Sequence, residues 1–301
     1  MRVFVTGASG HVGSALVPEL LAAGHEVVGL ARSDESAAAL AALGAEVRRG
    51  DLADVDGLRA AATDADGVVH LAFRHDLMQQ GDGAGAASAD LAAVGAIGDA
   101  LAGTGKPFVG TSGTLLLVAT AQGRGGTEKD TLPGGYRIDA ENLVIGLADR
   151  GVRSSVVRLP PTVHSDLDHH GFVPGLVALA RRTGTSGYVG EGANRWPAVH
   201  TRDAAHLYRL ALENAPAGTR LHAVADEGVP FREIAEAIGR GVGVPATSVA
   251  PEAAAEHFGY LAFAVQPDNP TSAAATRELM GWAPAHPGLI DDLAAGHYFT
   301  A

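Results

Sequence analysis

Cysteine is absent from the 301 residues, which removes disulfides, thiolate nucleophiles and cysteine-ligated zinc or iron–sulfur centres together. No apolar run approaches the ~20 residues that a membrane helix needs. The opening MRVFVTG lacks the long apolar stretch and cleavage site of a signal peptide, as expected of a chain that stays in the cytoplasm. Positive charge is scarce and scattered: 22 Lys and Arg stand against 34 Asp and Glu, and the net charge of −12 argues against a nucleic-acid surface. Charged residues reach only 19% against 47% hydrophobic, a balance that excludes disorder and lets a chain of this length bury a substantial core. Glycine, by contrast, is abundant at 40 residues, and its placement is the most informative feature of the chain.

Apolar, β-rich runs at Val3–Val5, Val27–Leu30, Val47–Arg48, Gly67–Leu71, Pro107–Gly110 and Ser154–Leu159 alternate with Ala- and Leu-rich segments. Those segments predict helices over 12–23, 36–43, 55–62, 86–103 and 138–150. Alternation of this kind specifies an α/β fold, a doubly wound parallel sheet with helices on both faces. Leu91, Val94, Ile97 and Leu101 form an amphipathic stripe. Gly24, Gly44, Gly103 and Gly151 stand where left-handed C-caps are expected. Pro18 falls inside the first helix and is read as a kink. Beyond residue 160 the alternation loosens into helices over 172–182, 202–214, 231–239 and 251–258, separated by loops rich in Gly, Pro and His. The expected organisation is a dinucleotide-binding domain over 1–160, and a smaller, mainly helical substrate lobe over 161–301 interleaved with the last strands.

The first strand runs straight into Gly7, Gly10 and Gly13, and a helix follows. Gly7 permits the tight turn, Gly10 lets backbone approach a pyrophosphate, and Gly13 allows close helix–strand packing. The helix start, with Ser9, His11 and Val12, offers free N–H groups and a positive dipole end. At the tip of the second strand an acid would select NAD, whereas an arginine accommodates the 2′-phosphate of NADP. Ala31, Arg32 and Ser33 stand there, so NADP (NADPH) is the expected cofactor, with Arg32 on the phosphate and Ser33 adding a donor.

The spacing Gly7-x-x-Gly10-x-x-Gly13 resembles the short-chain dehydrogenase/reductase superfamily, in its extended and atypical branches near the sugar-nucleotide epimerase/dehydratase-like families. Further stretches match in order over most of residues 1–225. GDLAD resembles the adenine-contacting pair, here Asp51 and Leu52; VVHLAF resembles the strand end along the cofactor, implicating Leu71, Ala72 and Phe73. VGTSGT sits where the family places a catalytic hydroxyl, VVRLPPTVH implicates Pro160, Thr162 and Val163 beside the nicotinamide, and WPAVHTRDAAHLY resembles a stretch beside the substrate. The resemblance implies a Rossmann-type fold and, since relatives often pair through the helices near residues 90 and 140, allows a homodimer, with the oligomeric state left open by the sequence. One departure is sharp. The family pairs a tyrosine with a lysine four residues on; Tyr136 is at the right distance after Ser112, but position 140 is alanine. The only lysines, Lys106 and Lys129, cannot serve, and position 113 is glycine.

Ketone reduction needs a hydride donor, a proton donor and polar groups on the carbonyl. Tyr136 is the expected acid, with Ser112 or Thr111 polarising the substrate; Arg137 could restore the missing charge only if residues 133–136 form an irregular loop into the helix. HSDLDHHGF holds three histidines and two aspartates without a recognisable ligand spacing, so no metal site is expected. His164 and His170 are instead expected to border the substrate. His200 is read as a proton donor or a packing residue, Asp203 as a partner of the helix dipole, and Trp196 as pocket lining or core. The leading function is an NADP-dependent oxidoreductase acting on a small carbonyl or alcohol. The alternatives are a non-catalytic NADP-binding redox sensor, and an epimerase or dehydratase drawing on Arg181, Arg182, Arg195 and Arg202 for a nucleotide diphosphate.

Overall fold

The structure, a computed structural model, describes residues 1–121 and 124–300. The first half runs β1 (Arg2–Thr6), α1 (His11–Ala22), β2 (Glu26–Ala31), α2 (Asp34–Ala42), β3 (Glu46–Arg49), α3 (Val55–Asp64), β4 (Gly67–His70), α4 (His75–Gln79), α5 (Gly83–Leu101), β5 (Pro107–Gly113), α6 (Val118–Ala121), α7 (Ile138–Gly146) and β6 (Arg153–Leu159). The second half runs β7 (Thr162–His164), α8 (Phe172–Thr183), β8 (Ser186–Val189), β9 (Arg195–His200), α9 (Thr201–Asn214), β10 (Thr219–His222), β11 (Asp226–Pro230), α10 (Phe231–Val242), β12 (Ala246–Val249), α11 (Ala254–Phe258), α12 (Ala262–Val265), α13 (Ala274–Met280) and α14 (Leu289–Ala294).

A seven-stranded sheet in the order β10-β6-β5-β4-β1-β2-β3, parallel throughout, forms a Rossmann-like α/β fold. Successive strand residues point to opposite faces. Val3 and Val5 therefore enter one core with Leu16, Leu20, Leu207 and Tyr208, while Phe4 and Phe108 enter another with Leu58, Ile97 and Val144. Burial on both faces is why the strands read as continuous apolar runs. Chain order reverses between β1 and β4, and the crevice outside their carboxyl ends is where such sheets take ligands.

Several expected boundaries shift for local reasons. Pro18 lies within α1 without ending it. The segment expected as one helix over 138–150 stops at Gly146, and Leu147–Arg150 tightens into a 3₁₀ turn before Gly151, whose φ is 72°. Helix α5 starts earlier than expected because Asp82 caps it by accepting from the Gly85 N–H. Its 19 residues are also long and apolar enough to cross a membrane, correcting the expectation that no stretch comes near that length. Ala, Leu, Val and Ile supply that hydropathy, and Val94, Ile97 and Leu101 face the second core.

The lobe beyond β6 is less purely helical than expected. It contains a three-stranded sheet, β11-β9-β7, and a two-stranded one, β12-β8. Helices α8, α10 and α14 pack around these over a third core that includes Trp196, Phe231 and Phe258. Strand β10 and helix α9 come from this half of the chain yet belong to the main sheet and its first core.

Candidate dinucleotide and active site

The glycine turn has distinct reasons for each glycine. Gly7 has φ 67°, and a Cβ there would lie 2.7 Å from the Ala72 nitrogen. At Gly13 a Cβ would lie 2.2 Å from the Gly7 carbonyl oxygen, so α1 can pack this closely on the turn only without a side chain. Gly10 differs: a Cβ would meet only the Gly7 oxygen, at 3.2 Å. Its bareness keeps the outer surface of the turn open. The Ser14 N–H makes the first bond of the helix, 2.8 Å to the Gly10 carbonyl. The N–H groups of His11, Val12 and Gly13 thus lie ahead of the ladder, and no side chain caps them. Ser9 is exposed beside them. An open cradle, unpaired N–H groups and a helix dipole fit a pyrophosphate.

Beyond β2, the Arg32 side chain is 63% exposed, with Nη1 3.7 Å from Asp76 Oδ2 and 4.0 Å from Asp51 Oδ2. Arg74 forks onto Asp76 at 2.8 Å and holds that carboxyl down at about 2. Ser33 is not the free donor expected: its hydroxyl caps α2, accepting from the Ser36 N–H and donating to the Ser36 hydroxyl. Asp51 accepts from the Ala53 N–H, Leu52 is buried, and Leu71 and Ala72 are half-buried after β4, below the glycine turn.

At the carboxyl ends of β4 and β5 the side chains sort by strand alternation. Thr111 is turned inward, donating to the His70 carbonyl at 2.7 Å and hydrogen-bonded to Tyr208 at 2.8 Å, so its hydroxyl does not polarise a substrate. Ser112 points to the opposite face, the one that α7 covers, in register with Arg158. Its Oγ is buried without a hydrogen-bond partner of good geometry. Nearby, burial works against the charge of Glu141, but Arg158, Ser112 and Arg220 together hold its carboxyl below the usual range.

Tyr136 lies in an irregular loop just ahead of α7 and is 42% exposed. Its hydroxyl donates to Met78 Sδ at 3.0 Å and its ring meets Phe73 edge-on, 6.4 Å between centroids. Burial raises its pKa above 10, despite the lowering effect of Arg137. The next residue, Arg137, has φ 56° and ψ −18° and turns its side chain back onto the sheet. The guanidinium lies 4.1 Å over the Phe73 ring, donates to the Thr111 carbonyl at 3.3 Å and places Nε 3.7 Å from Asp90. Beneath it runs a buried line of polar groups: Asp90 is bonded to His70 at 3.1 Å, and His70 to Thr6 at 2.8 Å. Asp90 went unrecognised in the sequence. Its signal was a carboxylate placed i, i+4, i+7 with Val94 and Ile97 on the buried stripe of α5.

The histidine-rich region is mostly internal. His11 Nε2 is bonded to Thr201 Oγ1 at 2.7 Å, which ties the glycine turn to α9 and makes the side chain a clamp rather than a cofactor contact. Its pKa falls to about 4 through burial and the neighbouring His169, His164 and His200. His164, expected beside the substrate, is fully buried, with Nδ1 bonded to Asp292 at 2.9 Å and Nε2 unpartnered. His200 is a packing residue: it caps α9 by accepting from the Arg202 N–H and stacks on His286 at 4.5 Å. Burial, then His164 and His286, bring it to about 4. His170 is exposed at the start of α8. Asp203 does more than meet the dipole, since it accepts from the N–H groups of Ala285 and His286 and pins the C-terminal segment.

Trp196 is core, not pocket: it is 0% exposed, packs against Phe231 and donates to the Ala264 carbonyl at 2.9 Å. Pro160 is buried, Val163 packs on the first core, and Thr162 keeps a buried hydroxyl without a partner. Among the described residues no group of three or more His, Asp or Glu could hold a metal ion.

Residues 3–115 match the NAD dependent epimerase/dehydratase family. An uncharacterized protein of Schizosaccharomyces pombe is 46% identical over 301 residues, covering 99% of this chain and 100% of its own length. Another from Saccharomyces cerevisiae is 42% identical over 301 residues, covering 99% of each. Among solved structures, the dTDP-glucose 4,6-dehydratase DesIV of Streptomyces venezuelae, with NAD bound, superposes with a TM-score of 0.78 at 20% identity, over 99% of this chain and 96% of that one. The UDP-glucuronic acid 4-epimerase of Bacillus cereus, also with NAD, gives 0.75 at 18%, over 99% and 98%. These last two share the fold. Taken with the glycine cradle, the family match and the full-length relatives lead to one conclusion: the chain belongs to the NAD dependent epimerase/dehydratase family.

Proposed function

We propose that the chain is an NADPH-dependent reductase of small carbonyl compounds. The observation that carries this reading is the placement of the buried Ser112 hydroxyl at the end of β5, beside the Glu141 carboxylate of α7, with Tyr136 in the loop just ahead of that helix. The Arg32 guanidinium, largely exposed beyond β2, favours the 2′-phosphorylated dinucleotide. Recognition of a nucleotide diphosphate sugar is less favoured because three of the lobe's four candidate arginines are engaged, which leaves Arg182 exposed on α8. Arg195 forks onto Asp268, Arg202 onto Asp166, and Arg181 donates to the Phe299 carbonyl.

Residues of the turn, Arg32, Leu52 and Ala72 would hold the dinucleotide, which when bound supplies a hydride. The Ser112 hydroxyl donates to the carbonyl oxygen and orients it. Tyr136 gives its phenolic proton to the oxygen as negative charge develops there. Its present acceptor, a methionine sulfur, is weak and sits on a flexible side chain, so the phenol is readily released to a substrate. Burial keeps that phenol protonated near neutrality, which makes it an acid and a poor base. Reduction should therefore outpace alcohol oxidation at neutral pH, and oxidation should quicken in alkaline buffer.

The test follows NADPH absorbance with a panel of aldehydes and ketones. Tyr136→Phe should cut turnover by ~100-fold or more while NADPH affinity stays within about twofold. Near-native turnover in that variant overturns the role of Tyr136. Tight NADPH binding without reduction of any carbonyl overturns the reductase and leaves the redox-sensor reading.

A further inference from the structure

Among the described residues, Arg137 is the only non-glycine residue with a positive φ. Such backbone persists where surrounding structure enforces it, and it gathers at binding sites. Its consequence here is directional. On a regular helix, residues 136 and 137 would point about 100° apart; the left-handed turn instead lets both pack on the same ring, Phe73.

The guanidinium is held from below and unfinished above. Phe73 and Asp90 supply the cation–π and charge contacts, and the Thr111 carbonyl accepts its single hydrogen bond to the protein. Nε is buried with no hydrogen-bond partner, so four of five N–H donors are unengaged by the described residues. Phe73 follows β4 and Thr111 lies on β5, neighbours in the sheet, and both stand at its carboxyl edge. No lysine is hydrogen-bonded or ion-paired with these groups among the described residues. Lys106 precedes β5 at the opposite edge, where its Nζ donates to the Thr63 carbonyl, and Ala140 is buried against the second core.

We infer that Arg137 is a cofactor-binding residue whose free guanidinium donors hold the hydroxyls of the nicotinamide-side ribose and place a fixed positive charge beside Tyr136. A planar fork with several unengaged donors matches a pair of vicinal hydroxyls, and Asp90 compensates the charge when the crevice is empty. This deepens the proposed function by naming the group that supplies the charge, but its test reads binding alone and stands whether or not any carbonyl is reduced.

NADPH and NADH are titrated into native protein, Arg137→Gln, Arg137→Lys and Arg137→Gly by nicotinamide fluorescence. Adenosine diphosphate, with and without a 2′-phosphate, serves as the probe lacking the second ribose. Arg137→Gln and Arg137→Gly should weaken the reduced dinucleotide about tenfold or more, Arg137→Lys less, and none should change affinity for the adenosine probes beyond about twofold. Glycine adopts positive φ freely, so Arg137→Gly should melt no lower than Arg137→Gln and still bind poorly. Native dinucleotide affinity in Arg137→Gln or Arg137→Gly overturns the inference, as does an equal loss for the adenosine probes.

Discussion

Acid should unfold this protein through two histidines, buried His200 and half-buried His11. His11 and His200 lie at about 4 against an ordinary value of 6.5, so the folded state binds fewer protons than the unfolded chain throughout that interval. A base with a lowered pKa contributes stability that is complete above 6.5 and is lost as pH falls toward 4. The structure supplies the causes. Protonating His200 at Nδ1 removes the acceptor for the Arg202 N–H and puts a cation at the positive end of α9. Protonated His11 would face His164, His169 and His200, with only Asp168 3.7 Å away to offset the charge. At pH 5.0 an unfolded histidine is almost wholly protonated and one held near 4 about one-tenth so, a difference of ~2 kcal/mol for each. The His200 ring lies against those of His164 and His286, so the two contributions do not simply add, and a combined loss of ~3 kcal/mol between pH 7.5 and 5.0 is the expected magnitude. Asp76 and Asp130, held low by Arg74 and Arg124, stay charged across this window.

The assay is urea unfolding followed by the fluorescence of Trp196 and Trp282, both buried, at pH 7.5, 6.5 and 5.0. In the double variant His11→Gln, His200→Asn a polar partner for Thr201 and a good N-cap remain while both titrations disappear. The pH-dependent loss should shrink to ~1 kcal/mol or less. His75 and His222, also lowered first by burial, act alike in both proteins and cancel in the comparison. A double variant that loses as much stability at pH 5.0 as the native protein would refute this assignment of acid lability.

Three further outcomes are expected. Gly10→Val should abolish dinucleotide binding in a calorimetric titration with little change in the apo melt, because its Cβ meets only one atom closely; Gly13→Ala, whose Cβ would be 2.2 Å from a carbonyl oxygen, should lower that melt clearly. Arg32→Asp should erase at least a tenfold preference for NADPH over NADH, since a charge-assisted contact is worth ~1.5–3 kcal/mol; equal native affinities would remove the premise. Trp196→Ala should cost ~3–5 kcal/mol in denaturant unfolding and leave NADPH affinity alone, whereas a pocket residue would show the reverse.

The parts of the site legible in the sequence are those whose chemistry is local. The glycine turn compresses its steric requirements into seven residues, and strand alternation with its flanking helices carried the architecture. What escaped depends on contacts between distant positions. Nothing near Thr111 announces that Tyr208 will take its hydroxyl, and nothing near His164 announces Asp292, 128 residues away. Ser33 departs from its expected role for the opposite reason: its partner, Ser36, is only three residues off, and capping α2 takes the hydroxyl. Trp196 could be pocket or core until β9 placed it opposite Phe231. The conformation of Arg137 had no sequence signal, since arginine carries no preference for positive φ.

The course of the chain through β6, the lobe and back to β10 has a consequence for how the protein is made. Strand β10 pairs with β6 only after the chain has crossed β7 to α9, and Arg153 of β6 donates to the Leu212 and Ala215 carbonyls that close α9. During synthesis the first 160 residues therefore emerge with an open sheet edge and an uncovered apolar face, the one that Leu207 and Tyr208 later fill. Parallel pairing across such a separation is slow, and an exposed strand edge invites association with other chains. A fragment ending near residue 160 should aggregate rather than fold, and the interval before residue 222 clears the ribosome is when the nascent protein most needs a chaperone.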